Sequence, residues 1–136
     1  MKVMLDTNVL ISALVFGGKA REILLMLIGT EHKISVSDYV AKEFSDKVRL
    51  KWTDKSDMLL KAFHSLPFYF CRSSEKLQGT LRDKKDIPVL SDALYHQVDV
   101  ILTGDKDFLE ADLEKPLIFS IKMLEEFLIT QSKTEY

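Results

Sequence analysis

The sequence predicts an α/β domain built on a mostly parallel sheet. Short apolar runs rich in β-branched and aromatic residues alternate with longer amphipathic segments along the 136 residues. Carboxylates recur just past several of those runs, at Asp6, Asp38 and Asp105. No internal repeat, low-complexity stretch or linker divides the chain, so one domain is expected over residues 1–130, with a polar, frayed tail over 131–136.

Taken in order, Lys2–Leu5 reads as the first strand. Asn8–Val15 is a short helical segment stopped by Gly17-Gly18. Lys19–Ile28 is helical, with Gly29 in the C′ position that helices favour. Ile34–Val36 is the second strand, and Ser37 is placed to cap a helix over Asp38–Lys51. A further helix spans Asp54–Leu66 and ends at Pro67. Phe68–Cys71 is an aromatic-rich strand, followed by a polar loop over Arg72–Lys85. Ile87–Val98 is a helix, Val100–Thr103 a strand and Phe108–Leu113 a helical turn. Leu117–Ser120 is the last strand and Lys122–Ile129 the closing helix. The length fits about five strands.

Composition narrows the function classes. Hydrophobic residues make up 46% and charged residues 29%, the balance of an ordinary globular domain. The longest apolar run, Ile23–Ile28, is far short of the ~20 residues that span a bilayer, so no membrane role is expected. Only Lys2 precedes the first apolar stretch and Asp6 interrupts it, which is unlike a secretory signal. The one cysteine, Cys71, has no internal partner and lies in an apolar run, so a buried thiol and a cytoplasmic setting are expected. A net charge of −2 counts weakly against a nucleic-acid partner. Acids that converge on divalent metals would no longer count as free negative charge.

In open α/β sheets, ligands bind beyond the carboxyl ends of the strands. Asp6 directly follows the first strand, and Asp105 follows the fourth in "LTGDKDF". In "DIPVLSDALYHQV" the apolar stripe is Val89, Leu90, Ala93, Leu94 and Val98. At about 100° per residue, Asp86 falls on that stripe at the helix start, whereas Asp92 falls off it toward solvent. Glu43 flanks the Val40, Phe44 and Val48 stripe of its helix and can reach a cleft. Each acid also has a plainer role. Asp6 and Asp86 suit helix caps, Glu43 a partly exposed helix face and Asp105 a turn. Asp83, Asp92, Asp99 and Asp107 read as surface residues, with Asp107 a weaker site member two positions past Asp105.

Jointly the acids repel, and some would stay protonated unless cations relieve them. Oxygen-only ligands select Mg²⁺ or Mn²⁺ over zinc. His32, His64 and His96 are scattered, and neither a Walker-type loop nor a Ser/His/Asp or Cys/His nucleophile is evident.

"MLDTNVLISAL", "SDYVAKEF", "DIPVLSDAL" and "VDVILTGDKDF" together resemble the successive motifs of PIN-domain ribonucleases. The likeness covers nearly the whole chain. It is nearest to small single-domain PIN proteins classed as toxins of toxin–antitoxin systems, related to the VapC-like toxins. The resemblance implies a three-layer sandwich around a five-stranded parallel sheet of order 3-2-1-4-5. Family acidic positions fall on Asp6, Glu43, Asp86 and Asp105, with Asp107 a less constant fifth. Asn8 and Thr103 match supporting positions. The implied activity is hydrolysis of single-stranded RNA with one or two Mg²⁺ or Mn²⁺ ions. Implied partners are RNA, a cognate antitoxin and a second copy of the chain, with no membrane. Lys42, Arg82, Lys84, Lys85 and Lys106 are candidates for substrate phosphates, as are Lys47, Arg49 and Lys51; their plainer role is solvated surface charge. Trp52 suits base stacking or packing.

Three departures stand out. Asp92 adds a charge where many relatives carry a small apolar residue, "FSIKMLEEF" lacks a proline, and there is no long basic arm. Two other classes compete with the nuclease reading. One is a non-catalytic PIN-like module that binds RNA or a partner. The other is phosphoryl transfer through an aspartyl-phosphate, for which "LDTNV" lacks the second Asp and the Gly-Thr of dehalogenase-like motifs. A DNA nuclease stays open within the enzyme class.

Overall fold

Strand β1 (Lys2–Leu5) runs through the middle of the fold, because Val3, Met4 and Leu5 are all fully buried. Successive strand residues point to opposite faces, so both faces of the sheet are covered there. The same holds for β4 (Val100–Leu102), whose three residues are also fully buried. In this computed structural model, which describes residues 1–73, 86–111 and 114–134, the strands form one five-stranded sheet of order β3-β2-β1-β4-β5. Here β2 is Lys33–Ser37, β3 Tyr69–Cys71 and β5 Leu117–Phe119. Every pairing is parallel, with Leu5 opposite Leu102 at the carboxyl ends of β1 and β4. The expected fold class and strand order are therefore found.

The helices follow the sequence signals closely at some ends and not at others. Helix α1 (Thr7–Ile11) continues into a π-helical turn, Ser12–Phe16. Gly17 and Gly18 then reverse the chain at φ 83° and 59°, a conformation only glycine adopts cheaply. Arg21, at the start of α2 (Gly18–Ile28), donates from Nε to the Ala13 carbonyl at 2.8 Å and from Nη2 to that of Leu14 at 3.1 Å. Gly29 is the C-cap of α2, at φ −76°, one position before the C′ place expected of it. Ser37 caps α3 (Asp38–Lys51) as expected, its Oγ accepting from the Val40 N–H at 3.2 Å.

A short 3₁₀ turn, Thr53–Lys55, leads into α4 (Ser56–Ser65). Helix α5 (Ile87–Tyr95) stops before Val98, because the chain turns through Gln97 at φ 54°. Helix α6 (Lys106–Leu109) starts two residues before the helical turn expected at Phe108. Helix α7 (Ile121–Thr134) runs on into the segment read as a tail.

One core of buried side chains joins these layers. Its aromatic centre lies between α3 and α4, where the Phe44 and Phe63 rings meet at 4.8 Å and Phe68 and Phe70 close on Phe63. Phe44, Phe63 and Phe68 are buried, each stabilising the fold by about 1.5–3 kcal/mol, whereas Phe70 stays about half exposed. Among the described residues no helix is long and apolar enough to cross a membrane.

Candidate functional site

The backbone of β1 ends at Asp6, whose N–H donates to the Leu102 carbonyl at 3.0 Å. That bond extends the β1–β4 pairing by one residue and delivers the Asp6 carboxylate to the carboxyl edge of the sheet. The side chain is 5% exposed. Its Oδ1 accepts from the Thr7 N–H at 2.8 Å and its Oδ2 from the Thr103 hydroxyl at 2.8 Å. Capping of α1 and a bond to the end of β4 thus coexist in one carboxylate. Thr103 itself is fully buried, and its Oγ1 also accepts from the Asp105 N–H at 3.1 Å. One hydroxyl therefore orders both the first acid and the backbone of the fourth.

Burial pushes the Asp6 carboxyl above its ordinary value of 3.8, against the two hydrogen bonds that favour its ionised form; the negative charges of Glu43 and Asp105 push it further up. These three acids, distant in sequence, share one electrostatic field. Asp86 joins them through a residue that sequence reasoning missed. Tyr39 lies one helical turn before Glu43, and its hydroxyl donates to Glu43 Oε2 at 3.3 Å. Burial first, then Glu43, Asp6 and Asp86, raise the Tyr39 phenol above 10.0. Helical spacing of four residues from Glu43 was the signal that could have found it.

Asp86 is buried at the start of α5, as the stripe argument expected, and its side chain makes no capping bond to that helix. Lys47 reaches Glu43 Oε1 at 3.8 Å, with both side chains about a third exposed, so its charge is partly engaged there. Asn8 is exposed at the second residue of α1. Lys42 and Lys106 are exposed beside Glu43 and Asp105 in the chain. Arg82, Lys84 and Lys85, and the side chain of Asp107, lie outside the described residues. Trp52 is half-buried and meets Phe16 edge-on at 5.7 Å, the packing role rather than an open stacking face. The three histidines have structural neighbours: His32 the chain amine and Gln131, His64 the Phe63 ring, and His96 the Arg72 carbonyl.

Asp92 overturns its reading. It is 2% exposed rather than solvated, and it accepts from the Ser73 hydroxyl at 3.0 Å. The azimuth argument assumed one buried face, but five consecutive residues of α5, Val89 to Ala93, are buried, so the helix is enclosed on more than one side.

Among the described residues, no three His, Cys, Asp or Glu side chains close into a ready-made metal cage. Glu43 and Asp105 lie within electrostatic reach of Asp6, and Tyr39 within reach of Glu43, Asp6 and Asp86.

Comparison with known proteins adds to this geometry. The PIN domain family matches residues 2–107. Among solved structures, the chain is similar to one chain in the crystal structure of VapBC2 from Rickettsia felis bound to a DNA fragment from their promoter. The TM-score is 0.70 at 20% identity, covering 88% of this chain and 98% of that one. At that identity the likeness is one of fold. No curated protein matches the chain.

Proposed function

The chain belongs to the PIN domain family, whose members are nucleases, and from that premise we propose that it is a metal-dependent endoribonuclease acting on single-stranded RNA. The observation that carries the proposal is Asp6. A buried carboxylate at the end of the central strand, within the field of Glu43 and Asp105, is unfavourable when ionised, and a bound cation would relieve it in place of a proton.

The donor set fits Mg²⁺ or Mn²⁺. All the candidate ligands are carboxylates, and magnesium keeps several waters and needs only one or two protein oxygens, so a loose set suits it. Zinc in a structural site would ask for a closed nitrogen or sulfur cage. Asp6, Glu43, Asp86 and Asp105 would hold one or two ions, with Asp107 as a further ligand. When bound, such ions activate water for attack on a phosphodiester and stabilise the departing oxygen.

The chain's own groups do the positioning. Thr103 and the Thr7 N–H fix both oxygens of Asp6. Tyr39 and Lys47 hold the two oxygens of Glu43. Lys42 and Lys106, exposed and next to site acids in the chain, are proposed to meet substrate phosphates, a role also proposed for Arg82, Lys84 and Lys85. Asn8 is proposed to line the entrance.

The biological reading is the toxin half of a toxin–antitoxin pair, supported by the likeness of fold to a chain of VapBC2. An antitoxin partner and a homodimer belong to that reading. Leu25 and Met26 on α2 stay exposed while Ile23, Leu24 and Leu27 are buried, which leaves apolar surface for a partner. Sedimentation of the purified chain as a monomer at all concentrations would remove the homodimer.

The function is tested with end-labelled RNA and DNA panels, Mg²⁺ or Mn²⁺, and an EDTA arm. Metal-dependent cleavage of single-stranded RNA is expected. Cleavage of DNA alone, or cleavage that persists in EDTA, overturns the reading.

A further inference from the structure

Ser73 follows β3, yet it is tied to two helices that carry site acids. Its Oγ accepts from the Tyr39 N–H at 3.0 Å and donates to Asp92 Oδ2 at 3.0 Å. Its own N–H donates to Asp38 Oδ2 at 3.4 Å. The hydroxyl thus satisfies one of the open N–H groups in the first turn of α3, from a residue 34 positions away, and joins that turn to the middle of α5.

The joint is well placed to set distances in the site. Glu43 lies one turn after Tyr39 on α3, and the two side chains are hydrogen-bonded. Asp86 lies six residues before Asp92, about 9 Å along the helix axis. Helices α3 and α5 pack together, and Val40 and Phe44 on α3 and Val89, Leu90 and Ala93 on α5 are buried. Each acid is therefore coupled to the joint through less than two turns of rigid helix.

The chemistry of Asp92 points the same way. A carboxylate 2% exposed carries a desolvation cost that an apolar residue of similar size would avoid. Its hydrogen bond to Ser73 is directional, and directional bonds fix the register of two helices where apolar contacts allow sliding.

We propose that Ser73 and Asp92 are positioning residues, forming a lock between α3 and α5 that sets the spacing of Glu43 and Asp86. The proposal rests on the reading of those acids as metal ligands given above. Groups bonded directly to metal ligands change metal affinity by about 10–100-fold when removed, and a lock acting through the helices is expected at the lower end of that range.

The test measures Mn²⁺ affinity by electron paramagnetic resonance, alongside RNA cleavage at low and saturating Mn²⁺ and thermal melts. Wild type is compared with Ser73→Ala, Ser73→Thr, Asp92→Asn and Asp92→Ala, with Asp6→Asn as the reference for the site itself. The lock predicts that Ser73→Ala and Asp92→Ala remain folded but bind Mn²⁺ about 10-fold more weakly. Saturating Mn²⁺ restores most of their cleavage. Ser73→Thr and Asp92→Asn, which keep a donor and an acceptor, stay close to wild type. Should Asp92→Ala fail to fold, Ser73→Ala carries the test alone. Folded Ser73→Ala with wild-type Mn²⁺ affinity, beside an Asp6→Asn that has lost it, overturns the lock and leaves the site reading intact. Wild type without Mn²⁺ binding, or Asp6→Asn with undiminished binding, overturns the site reading and the lock with it.

Discussion

The Thr103 hydroxyl donates to Asp6 Oδ2 at 2.8 Å, with both side chains buried, and so links the ends of two neighbouring central strands. The same oxygen accepts the Asp105 N–H. Thr103→Ala should leave the fold intact, weaken metal affinity by about 10-fold and lower cleavage in proportion. Thr103→Ser keeps the hydroxyl and should retain most activity. Metal titration of the two variants checks this, and equal affinities would contradict it.

Asp6 also makes a prediction about stability and pH. Its folded-state value is raised above 3.8, so the folded protein holds that proton more tightly than the unfolded chain. This contribution favours the fold below the unfolded value and is lost as pH rises through the folded one. Without metal, Asp6→Asn should flatten that part of the stability–pH curve and melt no lower than wild type at pH 7. Mg²⁺ at ten times its Kd should stabilise wild type by about 1.4 kcal/mol, a rise of a few degrees, and leave Asp6→Asn unmoved. Thermal melts with and without Mg²⁺ read both effects.

Cys71 should be a slow thiol. Burial, then the charges of Asp92 and Asp38, push it up to about 11 from 9.0. At pH 8 its thiolate fraction is then about 100-fold below that of an ordinary cysteine. Alkylation of the native protein should be correspondingly slow and should accelerate as pH rises toward 11. Asp92→Asn removes one of the opposing charges and should speed it. A native rate at pH 8 equal to that of the urea-unfolded chain would contradict this.

The aromatic centre between α3 and α4 should dominate stability. Phe63 is fully buried and touches Phe44, Phe68 and Phe70. Phe63→Ala should cost about 3–5 kcal/mol, read as a shift of the urea midpoint. A loss under 1 kcal/mol would place the core elsewhere.

What could be read in the chain follows from how local each signal is. Asp6 and Asp105 were legible because a charge at the end of an apolar run is a local contradiction. Glu43 and Asp86 were legible from helical azimuth, a periodic property of a dozen residues. Asp92 was misread by that same argument, since azimuth assigns one buried face and α5 is enclosed on more than one. Tyr39 was within reach, as its spacing from Glu43 is a helical one. Ser73 was not, because its partners on α3 and α5 are set by tertiary packing alone. The end of α7 was misplaced for a related reason. Polar composition after Ile129 reads as a frayed tail, although a helix can continue with polar residues on all sides.

The proposed function turns on Asp6 as the anchor of a metal-dependent ribonuclease site. The most direct test is the initial rate of single-stranded RNA cleavage in Mn²⁺ by wild type and Asp6→Asn, prepared side by side and shown to be folded. Wild type is expected to cleave, and the variant to show no cleavage above background. Cleavage by folded Asp6→Asn at the wild-type rate would contradict it.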